Sequence, residues 1–290
     1  MTTTTALITG ASRGIGYILA KELAVRGATV IATMRDPNGR NSAIAQELTG
    51  WANQEDLSLQ VLDLDVCDQT SVDKAVQSVE SEGQIDALIN NAGIMPTGLT
   101  EAFTLEQAQQ TFDVNVYGIM RTCRAVLPFM RKRKAGRIIS ISSAAGRLAI
   151  PYFGLYCASK WAMEAYCETL HYELEPFGID SVLVEPSGHA TDLVASAPAP
   201  QDLACLSQYG ELSKGREKLL GMFHDMFAQG ESITDAANVA RMTADLVFST
   251  SPLPLRTQVG ADMGVTAFNE AVAPVQSALV DSLKPVYAAT

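Results

Sequence analysis

The tightest constraint on this chain is a glycine turn near its start. A short apolar run at residues 6–8 leads straight into Thr9-Gly10-Ala11-Ser12-Arg13-Gly14-Ile15-Gly16. Glycine is needed where the backbone turns sharply and where a phosphate must lie against it. Ile15, Ile18, Leu19, Leu23 and Val25 then give a mostly helical spacing. A helix starting there aims its free N–H groups and its positive dipole end at an anion. Alone, a glycine-rich stretch is only a tight turn. Between a strand and a helix, it is the context in which such a turn binds a nucleotide.

The same alternation continues along the chain. Apolar runs at residues 28–32, 57–62, 86–89, 137–141 and 179–184 read as buried strands, with another possible at 256–259. Between them, residues 71–82 read as a helix with Val72, Ala75, Val76 and Val79 on one face. A long helix is expected over 105–133, kinked at Pro128, another over 156–175, and a capped one over 234–247. Strands alternating with helices predict an α/β fold: a Rossmann-like, doubly wound, seven-stranded parallel sheet with helices on both faces. Residues 187–230 break the rhythm, with Ala-Pro-Ala-Pro at 197–200 and a stripe of Leu219, Leu220, Phe223, Met226 and Phe227 that serves either as a lid against an apolar substrate or as packing between lid and body. The strand rhythm persists past residue 150 and no linker interrupts it. We therefore expect one domain over 1–290, with an insertion at about 187–230 over the substrate and a tail after the last strand.

Composition removes several classes of function. The 290 residues carry 21 Lys and Arg against 32 Asp and Glu, a net charge of −11. Nucleic acid and anionic membranes call for a basic face, so neither is an expected partner. The basic run Arg131-Lys132-Arg133-Lys134 falls at the end of a predicted helix, where cations complement the dipole. No apolar run reaches the length of about 18 residues that a spanning helix needs, and the first residues lack the basic start of a signal peptide. The five cysteines are odd in number, and none form a C-x-x-C pair. With only three histidines and no H-E-x-x-H, no metal site is expected, and the thiols read as buried and reduced in a cytoplasmic protein.

The glycine spacing is Gly-x-x-x-Gly-x-Gly, and the motifs that follow it keep a familiar order. They are Asp65-Val66 after the third strand, Asn90-Asn91-Ala92-Gly93 after the fourth, Asn115 in the long helix, Ser143 after the fifth strand, and Tyr156-x-x-x-Lys160 thirteen residues on. In this the sequence strongly resembles the short-chain dehydrogenase/reductase family, over residues 6–263. The segments at 31–36 and 155–164 look most like its hydroxysteroid- and retinol-dehydrogenase-like branch.

The resemblance implies a nicotinamide dinucleotide held by Gly10, Ser12, Arg13, Gly14, Ile15 and Gly16. It also implies that Asp65 and Val66 lie at the adenine, and that Asn91, Ala92 and Gly93 lie beside a ribose. Pro186 and Thr191 would lie at the nicotinamide carboxamide. In that last loop this chain has Ser187 where the family usually has Gly, and His189 where Val or Ile is common. Those departures bear on the loop's geometry. His189 is either a second polar group near the substrate or a hydrogen-bonded loop residue. At the end of the second strand, Met34 stands where NAD-specific relatives carry Asp, and Arg35 follows. An acidic residue there bonds the ribose 2′-hydroxyl, whereas an Arg fork accommodates a 2′-phosphate. With Arg13 as a second cation, the expectation is NADP(H). Asp36 keeps an NAD-preferring reading open.

Tyr156 and Lys160 are spaced i, i+4 and project from one helix face. A phenol is a poor acid or base at neutral pH, and a neighbouring ammonium is expected to lower its pKa. Ser143, favoured over Ser142 by the thirteen-residue step, can polarise a carbonyl. Asn115, by family resemblance, anchors a water that relays protons from Lys160. The expected activity is interconversion of a hydrophobic ketone or aldehyde and its alcohol, with Tyr156 as acid/base. The expected assembly is a homodimer or homotetramer. The rival from another class is a non-catalytic NADP-binding regulatory protein on the same fold. An epimerase or dehydratase calls for a different glycine spacing and a larger C-terminal domain.

Overall fold

In the computed structural model, which describes residues 3–287, seven strands form a single parallel sheet. They are β1 (Thr5–Ile8), β2 (Thr29–Met34), β3 (Leu59–Asp63), β4 (Ala87–Asn90), β5 (Gly136–Ile141), β6 (Ile179–Pro186) and β7 (Arg256–Val259). Their order across the sheet is β3-β2-β1-β4-β5-β6-β7, and every pair is parallel. The chain winds outward from β1 in one direction and resumes at β4 in the other. A crevice opens outside the carboxyl ends of these two strands, where an open α/β sheet binds its ligand.

The connecting helices are α1 (Gly14–Val25), α2 (Ser42–Gln54), α3 (Gln69–Glu82), α4 (Leu105–Phe112), α5 (Gly118–Arg133) and α6 (Gly154–Leu174). After β6 come α7 (Asp192–Ala195), α8 (Leu203–Gln208), α9 (Gly215–Ala228) and α10 (Ala236–Phe248); α11 (Val265–Tyr287) follows β7. Successive strand residues point to opposite faces, so each strand feeds two cores. Ile8, Val30, Ile139 and Val184 meet Leu19, Leu23, Val239 and Leu246 on one face. Leu7, Ile31, Leu88, Ile138 and Leu183 meet Val72, Val126, Met130 and Met163 on the other. Burial on both faces is why these strands read as unbroken apolar runs.

Three elements depart from the sequence reading. The helix expected over 105–133 is interrupted by a π turn at Asp113–Tyr117. Arg121 supports the wider turn, donating to the Asp113 carbonyl and, at 2.6 Å, to its carboxylate. The expected kink residue, Pro128, lies within α5. Helix α2 was not anticipated, although Ile44, Ala45, Leu48, Trp51 and Ala52 carry a helical period and pack on the core. The expected tail is helix α11, hidden in the sequence by Pro274 and Pro285. The basic run does end α5, where Arg133 pairs with Glu80 and Lys134 adopts a left-handed cap. All five cysteines are free, but Cys67 and Cys205 are only half-buried. No helix among the described residues is long and apolar enough to cross a membrane.

Candidate active site

The crevice at the switch between β1 and β4 is a cleft of about 1020 Å³. One end is built by the glycine turn. Gly10 has φ +71°, and a Cβ there would meet the Ala92 backbone at 2.9 Å. A Cβ on Gly14 would project across the cleft to Thr191 at 3.5 Å, so glycine keeps that passage open. Gly16 does not line the cleft; a Cβ there would strike the Asn91 amide and the Gly10 carbonyl, so it serves the packing of α1 on the sheet. No side chain caps the first turn of α1. Its N–H groups therefore face the cleft as an anion site. Asn91 fixes the turn by donating to the Thr9 and Gly10 carbonyls, while Thr9 Oγ1 accepts from the Asn91 and Ala92 N–H groups.

Ser12, Arg13, Ile15, Arg35, Asp65, Val66, Gly93, Pro186 and Thr191 also line the cleft. Asp65 is tied locally, its carboxylate accepting from Cys67 N at 3.0 Å. Thr191 Oγ1 caps α7 by accepting from Leu193 N. Strand β2 ends at Met34, which leaves Arg35 as the first residue beyond it. Asp36, at φ +51°, turns its carboxylate back to accept from Arg40 N at 2.9 Å and does not line the cleft. Arg40 does line it, a third cation beside Arg13 and Arg35 that sequence reading missed. Its signal was present as a second Arg in the turn between β2 and α2.

The glycine cradle, uncapped helix start and cationic end together fit a dinucleotide phosphate chain.

At the centre of the cleft, α6 presents Tyr156 and Lys160 one turn apart, both buried. Ser143 lines the cleft beside Tyr156, near enough for its hydroxyl to favour the phenolate. Ser143 Oγ also accepts from Ala145 N at 3.1 Å. Ser142 faces inward instead, its Oγ close to where a Cβ on Gly146 would lie, beside Glu164. Lys160 Nζ donates to the Ile141 carbonyl at 2.7 Å and lies 5.8 Å from the Tyr156 ring centre. Asn115 does not line the cleft. From the π turn it exchanges two hydrogen bonds with the Ile94 backbone and donates to Ser159 Oγ at 3.0 Å.

The expected lowering of the Tyr156 pKa does not occur in this structure. Burial pushes the phenol up to about 12, and the neighbouring Ser143 hydroxyl offsets only part of that rise. Burial pushes the Lys160 ammonium down to about 8, with Glu164 opposing. The same low-dielectric surroundings disfavour the charged form of each group.

The other end of the cleft is apolar. Met95, Ile150, Phe153, Leu193, Val194, Leu219, Phe223 and Met226 line it, and Phe153 meets Phe223 edge to face. The stripe on α9 therefore covers the cleft, and Leu219 and Phe223 also pack against the cluster that contains Tyr156. No Lys or Arg among the described residues lines this end. His189 is buried and lines the cleft. Its Nδ1 bonds the Ser187 carbonyl at 3.0 Å, its Nε2 has no partner among the described residues, and burial holds its pKa down.

Comparison with known proteins agrees with this geometry. The family described as short chain dehydrogenase matches residues 4–202. The chain is 40% identical to a 3-ketodihydrosphingosine reductase of Bacteroides thetaiotaomicron over 186 residues, 64% of this chain and 64% of that relative. It is 36% identical to bovine (Bos taurus) retinol dehydrogenase 8, covering 87% of this chain and 80% of that one. Among solved structures, a short-chain dehydrogenase from Streptomyces avermitilis superposes with a TM-score of 0.74 at 29% identity, covering 98% of this chain and 97% of that one.

Proposed function

The chain belongs to the short-chain dehydrogenase/reductase family, and from that premise we propose that it is an NADP(H)-dependent oxidoreductase interconverting a hydrophobic ketone or aldehyde and its alcohol. When bound, the nicotinamide supplies a hydride to the carbonyl carbon or takes one from the alcohol carbon. The chain's own residues do the rest. Tyr156, whose raised pKa keeps its proton at neutral pH, gives that proton to the developing alkoxide and removes it in the oxidative direction. Ser143 orients the carbonyl by hydrogen bonding. Lys160 is placed to hold a ribose hydroxyl and to favour the phenolate as it forms.

The observation that carries this reading is that Ser143, Tyr156 and Lys160 line one cleft together, between its cationic and apolar ends. Arg13, Arg35 and Arg40, with Asp36 turned away, support a 2′-phosphate and hence NADP(H) over NAD(H). The apolar end supports an uncharged hydrophobic substrate, because a carboxylate or phosphate there would lie without a countercharge. Tyr117 and Trp161 are exposed large aromatics on the elements that carry Asn115 and Tyr156, which supports a homodimer or homotetramer through those elements. The five free thiols support the reducing cytoplasm.

The test is NADPH oxidation at 340 nm against aromatic, steroid, retinoid and acyl carbonyls, with NADH run alongside. Turnover of the bulky uncharged carbonyls with NADPH preferred is the expected result. Equal or better turnover with NADH overturns the cofactor assignment. Tight NADPH binding with no turnover across the panel favours the regulatory reading.

A further inference from the structure

Behind Ser143 and Tyr156 lies a buried group of charges that the proposed chemistry does not use. Glu164 and Glu168 reach it from α6, Glu185 from the end of β6, Arg256 from the start of β7, and Arg147 from the loop after Ser143. Arg256 contacts Glu164 at 3.0 Å, Glu168 at 2.6 Å and Glu185 at 3.2 Å. Three carboxylates against two guanidiniums leave a surplus negative charge. Burial accordingly raises Glu164 and Glu185 toward their protonated forms, while the Arg256 hydrogen bond leaves Glu168 lowered. Lys160 also faces Glu164 across this group.

Arg147 and Glu185 approach only to 3.9 Å, too far for a direct hydrogen bond. Asn269 of α11 fills the gap. Its Oδ1 accepts from Arg147 Nε at 2.7 Å, and its Nδ2 donates to Glu185 Oε2 at 2.7 Å. A carboxamide accepts from a guanidinium with its oxygen and donates to a carboxylate with its nitrogen, whereas an ionised carboxylate in its place could only accept. The Arg147 guanidinium is meanwhile held over the Phe268 ring at 4.9 Å and the Trp161 ring at 5.9 Å. Arg147 lies four residues after Ser143, and Glu185 immediately precedes Pro186. The carboxamide thus joins the segments that follow the neighbouring strands β5 and β6, both of which line the cleft.

We propose that Asn269 is a positioning residue of the active site, clasping the loop at 143–154 to the loop at 186–191 from the C-terminal helix. The assignment of those loops to catalysis rests on the function proposed above. The clasp itself does not, and it is read without turnover. Asn269 touches no reacting atom in this account. It sets the separation of the serine loop from the loop that meets the nicotinamide. Helix α11 thereby becomes part of the catalytic unit.

The experiment measures hydrogen–deuterium exchange in the full chain, for wild type and Asn269→Ala, without added cofactor. Exchange should rise severalfold in peptides covering both 143–154 and 186–191, with the glycine turn at 9–16 unchanged. A rise confined to residues 265–287, or spread equally over the chain, overturns the proposal. In turnover, Asn269→Ala should lower kcat about tenfold while NADPH binding, followed by its fluorescence, weakens less than about threefold. Asn269→Asp supplies the second arm should the alanine variant fold poorly. The new carboxylate still accepts from Arg147 but donates to Glu185 only when protonated. Its kcat deficit should therefore shrink as pH falls from about 8 to about 6, and Asn269→Gln should restore part of the lost rate. Wild-type rates and pH profile in Asn269→Asp also overturn the proposal. Were no carbonyl turned over by any form, the exchange pattern would still decide the clasp and only the functional reading would fall.

Discussion

Tyr156 and Lys160 share one environment and respond to it in opposite directions. Burial holds the phenol protonated to about 12 and releases the ammonium proton at about 8. Near neutral pH the pair thus holds a neutral acid beside a cation, the state needed to protonate an alkoxide. As pH rises through about 8, Lys160 loses its charge and the phenolate its support. Reductive kcat/KM should fall along that limb, and a flat profile from about pH 7 to 9.5 contradicts the role given to Lys160. Tyr156→Phe should lower turnover by about 10²–10⁴-fold with NADPH binding retained; a variant that keeps its rate removes Tyr156 from the mechanism. Arg35 is the residue on which cofactor choice is most directly testable. A charge-assisted hydrogen bond is worth about 1.5–3 kcal/mol. Arg35→Ala should therefore raise KM for NADPH roughly 10- to 100-fold and leave KM for NADH within a few-fold. Equal effects on the two cofactors would place the 2′-phosphate elsewhere.

Among the elements, α9 decides what the apolar end accepts. Phe223 bridges Phe153 on the body of the protein and Phe227 on its own helix. Phe223→Ala removes much of the wall but leaves the side chains of Ser143, Tyr156 and Lys160 unchanged. KM for a bulky apolar carbonyl should rise about tenfold, while a small carbonyl is turned over as before; parallel losses for both would mean that α9 acts on the whole site. That α9 needs an apolar partner was legible in its Leu, Met and Phe stripe at helical spacing, but the stripe left open whether it faces a substrate or packs lid on body, and Leu219 and Phe223 do both. The strands and the glycine turn were legible for a related reason: each is specified by residues adjacent in the chain. Arg40, the inward turn of Ser142 and the clasp at Asn269 were not. Asn269 is 122 residues from Arg147 and 84 from Glu185, and no local period records which side chains β7 and α11 bring together. Tyr156 is legible from its motif, yet the direction of its pKa is not. Spacing gave its distance from Lys160 but said nothing of how deeply both are buried.

For the whole molecule, the acidic surplus and the internal charges are separate matters. The net charge of −11 is counted over the whole chain and lies mostly outside the buried group, whereas Arg13, Arg35 and Arg40 concentrate positive charge at one end of the cleft. The buried Glu164, Glu168, Glu185, Arg147 and Arg256 group couples global stability to pH. Glu185 is fully buried, and its pKa is raised from 4.5 to about 7, first by burial and then by Glu164. A carboxyl whose folded pKa lies above its unfolded value contributes stability that is fully present below the unfolded pKa. That contribution is lost as pH rises through the folded value, here from about 4.5 to about 7. His189, whose pKa burial lowers, contributes with the opposite sign in part of this window, and the lowered Lys160 does so only above about 8. The informative quantity is therefore the difference between wild type and Glu185→Gln, in which those contributions cancel. The amide keeps an acceptor for Asn269 and leaves two carboxylates facing two guanidiniums. At roughly 1.4 kcal/mol per pKa unit, the rise at Glu185 bounds the pH-dependent difference at about 3 kcal/mol. On the order of 2 °C per kcal/mol for a chain of this size, that is roughly 5 °C in Tm. Thermal melts at pH 5 and pH 8, at one ionic strength, should show Glu185→Gln gaining on wild type by up to that amount as pH rises. A difference independent of pH would mean that Glu185 is ionised throughout and that the surplus proton resides on Glu164.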